Sequence, residues 1–74
     1  MHSPQMRLAR ALYTEWRALP ETERGRLDPL AREVKGLALD LRGASDRDQA
    51  EEDLAFANIA LAEQLDRIAV SRAA

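Results

Sequence analysis

The chain has 74 residues, 46% of them hydrophobic and 32% charged, with a formal net charge of −2. That length makes one small domain, near the size at which a single core is often insufficient for stability. There is no cysteine, which excludes disulfides, thiolate metal sites and thiol chemistry, and no apolar run approaches the roughly 18 residues of a membrane span.

The single histidine, His2, stands in a terminus expected to fray, a poor place for a fixed ligand or base. The N-terminus shows no apolar signal region. The chain is therefore expected to be soluble and cytoplasmic, and its Arg-rich basic set (ten of eleven) suits a GC-rich bacterial or phage genome. Charge is unevenly spread: residues 1–43 carry a balance of +2 and residues 44–74 one of −4. Such asymmetry can orient the two parts against each other or against a partner.

Ser3-Pro4 opens the first helix, with Ser3 as N-cap and Pro4 where a missing N–H costs nothing. Leu8, Leu12, Trp16 and Leu19 form one apolar stripe, widened by Ala9 and Tyr13, with Arg7, Arg10, Thr14 and Arg17 opposite. Pro20 should end this helix, giving residues 4–19. Residues 20–27 read as a polar connection that holds at most one helical turn before Gly25.

Asp28-Pro29 repeats the cap-then-proline signal and predicts a second helix over 29–42. Its stripe is Leu27, Leu30, Val34, Leu37 and Leu41. Gly36 weakens it by about 1 kcal/mol relative to Ala, a cost offset if another backbone approaches closely there. Gly43 is expected in the left-handed position after the last turn.

The third helix is predicted over 46–72, uninterrupted by Gly or Pro. Ser45 with Asp48 and Asp46 with Gln49 are competing capping registers. Leu54, Asn58, Leu61, Leu65 and Ile68 follow one another at heptad steps, with Asn58 the one polar member. Asn58 either occupies a buried position that specifies register and partner number, or lies at the seam's edge in water. In the buried case, an apolar replacement would raise stability and loosen the choice of oligomer. Phe56, Ile59 and Val70 project to another side, shared with Glu52, Glu63 and Asp66. A helix with apolar residues on two sides usually has two neighbours.

With no alternating β pattern, the fold expected is all-α: a small three-helix antiparallel bundle with a long C-terminal helix. At 1.5 Å per residue the helices would run about 24, 21 and 40 Å. The last would outrun its cover, and this mismatch predicts a homodimer.

No catalytic, cofactor-binding or metal-binding residues are assigned. The acids Asp46, Asp48, Glu51, Glu52 and Asp53 lack the turn and ligand alternation of a calcium loop and read as a solvated helix start. Trp16 and Tyr13 read as core. The function expected is protein–protein association, by an adaptor, inhibitor or regulatory subunit that pairs with itself and with another protein. Its interface would be Phe56, Ile59, Leu61, Leu65, Ile68 and Val70, with Asn58 specifying the oligomer. The alternative is a nucleic-acid or transcription-complex accessory protein that contacts phosphates through Arg7, Arg10 and Arg17. A third reading is a small enzyme with an interfacial site.

Overall fold

Ser3 starts the first helix as its sequence pattern requires. In the computed structural model, which describes residues 3–73, the Ser3 hydroxyl accepts from the N–H groups of Gln5 and Met6 at 3.1 and 3.3 Å. These are two of the donors that a helix start leaves unpaired. His2 lies outside the described residues. The three helices are α1 (Pro4–Arg17), α2 (Glu21–Gly43) and α3 (Arg47–Ala73). Each link between them is three residues long. The bundle measures 43 × 18 × 17 Å.

The second helix departs from expectation. It begins at Glu21, not Pro29, so the segment read as a connection supplies its first two turns. Pro20 takes the N-cap position, and its carbonyl accepts from Arg24 N–H at 2.9 Å. Glu21 and Glu23 lie in the first turn, where the positive end of the helix dipole favours acids. Pro29 therefore sits inside the helix and cannot donate to the Gly25 carbonyl one turn earlier. Both residues are exposed, so that carbonyl can be hydrated. Two inward anchors hold the continuous helix across this defect. Leu27 is buried just before Pro29, and Trp16 Nε1 donates to the Arg24 carbonyl at 2.8 Å, tying the end of α1 to the start of α2.

This correction removes half of the length mismatch. α2 has 23 residues and α3 has 27, or about 34 and 40 Å. The last helix does not greatly outrun α2, while α1, with 14 residues, covers about half its length. Two glycine expectations also fall. Gly43 is the last residue of α2, and among the described residues no glycine has a positive φ. A Cβ built on Gly36 would meet nothing within 4 Å, so no close backbone offsets its helix penalty.

At the start of α3, Asp46 is the cap: its carboxylate accepts from Gln49 N–H at 3.1 Å. Gln49 does not reach back to complete a capping box but donates to Asp53 Oδ1 at 2.9 Å.

The buried apolar residues form one cluster to which every helix contributes. α1 supplies Ala9, Leu12 and Trp16; α2 supplies Leu27, Ala31, Val34 and Leu41; α3 supplies Leu54, Ala57, Leu61 and Leu65. Three of these are alanines, and the small side chain lets neighbouring helices come close. Leu8, expected on the core stripe of α1, is 43% exposed, and Ala9 takes the inward position.

Candidate interaction surface

The heptad seam of α3 is satisfied within the chain. Leu54 and Leu61 are fully buried and Leu65 nearly so, closed off by α1 and α2. Leu61 and Leu65 are thus core residues and offer no surface to a partner in this fold, contrary to their assignment from sequence. Ile68 is half-buried against the same core.

Asn58 is buried at 0% exposure, and its amide is paired within the chain. Nδ2 donates to the backbone carbonyl of Gln5 and to Gln5 Oε1, both at 3.0 Å. The amide therefore ties the middle of α3 to the first turn of α1. Its Oδ1 is buried and accepts from no protein group among the described residues. Nothing in this arrangement specifies the number of partners.

What remains open on α3 is the other side. Phe56 is 66% exposed, Ile59 55% and Val70 66%. Phe56 and Ile59 lie less than one turn apart, near enough to form one apolar contact. Glu52, Glu63 and Asp66, on the same side by helical geometry, are also exposed.

Two grooves flank this helix, and both carry carboxylates. The one shared with α1 is lined by Leu12, Glu15, Ala62, Glu63 and Asp66 among others. The one shared with α2 is lined by Glu33, Leu37, Asp53, Phe56, Ala57 and Ala60. No basic residue lines either groove.

The groove between α1 and α2 has the opposite character. It has a volume of about 340 Å³; Ala9 and Val34 lie at its base, Met6, Tyr13 and Leu39 line it, and Arg10, Lys35 and Arg42 surround it. No carboxylate lines it. Lys35 Nζ lies 5.8 Å from the centre of the Tyr13 ring, a cation–π distance. Tyr13 in turn packs against Trp16 with ring centres 5.1 Å apart. Among the described residues the ion pair present is Arg32–Asp28 at 2.7 Å, outside this groove.

Arg7, Arg10 and Arg17 are all exposed on α1. Arg10 belongs to the α1/α2 groove, and the other two do not line it. Among the described residues, no three acidic or histidine side chains are grouped so as to hold a metal ion, and no helix is long and apolar enough to cross a membrane. No protein-family model, curated protein or solved structure matches the chain.

The sequence separated the Phe56/Ile59/Val70 row from the seam but missed the basic groove. Its cations lie 25 residues apart in sequence, at Arg10 and Lys35, and meet only when α1 lies along α2. The local hints were Arg10, read with Arg7 and Arg17 as a basic face, and the positive balance of residues 1–43.

Proposed function

We propose that this protein is a small association module, an antiparallel helical bundle that binds protein surfaces through the outer row of α3 and pairs with itself. The observation that carries the reading is the exposure of Phe56 and Ile59 on a helix whose seam is already filled by its own chain. A large aromatic side chain exposed beside a branched aliphatic one forms an adjoining apolar surface of the kind that marks contact sites. Aromatic anchors of this kind dominate interface energetics. Helix length lends the reading little support, since α2 nearly matches α3 and α1 alone falls short of it.

The test is sedimentation equilibrium on the native chain and on the double variant Phe56→Ser/Ile59→Ser. The native chain should show species heavier than its 8.3 kDa, and the double variant should stay at that mass with an unchanged thermal melt. A native chain at the monomer mass throughout the micromolar range would remove self-pairing. A variant that associates as the native chain does would remove the outer row.

A further inference from the structure

We propose that the α1/α2 groove is the receptor for the α3 outer row of a second copy, so that the chain associates front to back instead of as a closed, symmetric pair. This rests on the reading that the outer row is a contact face, and it names what that face meets.

Charge complementarity is the first support. From Asp48 to Asp66, α3 carries six carboxylates and no Lys or Arg, and the one cation of the outer side, Arg67, lies beyond them toward Val70. Two such rows paired antiparallel about Phe56 and Ile59 would set Glu52 of one copy against Glu63 of the other, which disfavours row-on-row pairing there. The α1/α2 groove offers Arg10, Lys35 and Arg42 around an apolar base, with no carboxylate among its lining residues. None of the three cations takes part in the ion pair present among the described residues. Phe56 and Ile59 would lie on the base, with Glu52 and Glu63 reaching the cations at the edges. An amphipathic helix laid by its apolar face into an apolar groove is a recurrent mode of recognition.

Dimensions are the second support. Phe56 and Ile59, with a turn's clearance, need about 10 Å of helix. Lys35 to Arg42 along α2 spans about 10 Å.

The consequence follows from where the two surfaces lie. Each helix touches both others, so the α1/α2 groove and the outer side of α3 face away from each other across the bundle. A contact between unlike surfaces on opposite sides does not close on itself as a pair. It leaves a free groove at one end and a free row at the other, and further copies can add.

Two variants decide it. Leu39→Glu/Arg42→Glu alters exposed positions of the groove and leaves the row intact. Phe56→Ser/Ile59→Ser alters the row and leaves the groove intact. Circular-dichroism melts close to that of the native chain establish that both fold. By sedimentation velocity the native chain should give a concentration-dependent series of dimer, trimer and larger species. Each variant alone should stay at the monomer mass. Mixed, the two should form a single one-to-one complex and nothing larger, because only one competent contact remains. Raising salt from about 50 mM to about 500 mM should weaken association by about tenfold.

A groove variant that self-associates like the native chain, when the row variant does not, overturns this inference and leaves the outer row standing as a contact face. A mixture that stays monomeric overturns it as well, as does association indifferent to salt. A native chain that never exceeds its monomer mass overturns both this inference and the self-pairing beneath it.

Discussion

On α3, the side with Leu54, Asn58, Leu61 and Leu65 is closed off by α1 and α2, while on the opposite side Phe56, Ile59 and Val70 stand in water among carboxylates. Both sides hold large apolar residues, so composition does not separate them. What differs is spacing and company. The inner residues recur at steps of four and three with Ala57 between them, which suits close approach by two neighbours. The outer residues are interrupted by Glu52, Glu63 and Asp66, which allow the helix to remain in water until a partner arrives. Stability is thus concentrated on one side of the helix, and association is proposed for the other.

The contrast is broken or sharpened most strongly at Leu61. Leu61→Ala deletes a fully buried side chain and should cost about 3–4 kcal/mol of unfolding free energy, read from urea denaturation. A loss below about 1 kcal/mol would show that the inner side is not the core.

Next in size is Asn58→Asp. The substitution keeps the shape but sets a carboxylate oxygen against the Gln5 carbonyl and Gln5 Oε1, where the native amide donates. A buried charge facing two acceptors should cost about 3 kcal/mol. The loss should shrink in acid, where the carboxyl protonates and can donate to one of them.

Asn58→Leu should be milder, costing about 1–2 kcal/mol from overfilling a fully buried site and leaving the Gln5 groups without their donor. Its mass by light scattering should match that of the native chain. The gain in stability with mixed oligomers expected from the heptad reading does not follow, because the amide's partner lies in the same chain. A rise in melting temperature with a changed mass would restore the heptad reading.

The smallest effect belongs to the outer row. Phe56→Ala should change the unfolding free energy of the monomer by less than about 0.5 kcal/mol, measured at concentrations too low for association. A larger loss would mean that the ring contributes to the fold, and the two sides of α3 would no longer be distinct in role.

Much of this architecture was legible from local chemistry. Ser3-Pro4 placed the start of α1, and the unbroken run after Asp46 placed α3 to within a residue at each end. The error in α2 came from a signal with two meanings. A proline after Asp is equally the first residue of a helix and an interior residue whose lost hydrogen bond is made good elsewhere. The stripe already included Leu27, two residues before that proline, and the Trp16–Arg24 bond that anchors this part of α2 joins separate helices. Asn58 was marked as unusual by its place in the seam, but Gln5 lies 53 residues away, and no spacing rule connects them. The basic groove has the same origin: charge becomes a surface only after helices are set side by side.

The proline within α2 also bears on how the bundle comes apart. Between Glu21 and Gly36 this helix combines a missing hydrogen bond at Pro29 with two glycines, Gly25 and Gly36, that have no close neighbour to hold them. Local opening draws on regions with solvent-exposed backbone, and Gly25 and Arg26 are exposed between the anchors at Arg24 and Leu27, whose release would free this stretch. Amide protons there should exchange with solvent well before those between Leu54 and Leu65, and a protease acting on the native chain should make its first internal cut there. The lifetime of the intact protein in a cell would then be governed by how often the first turns of α2 open, at a site remote from Phe56 and Ile59 in sequence.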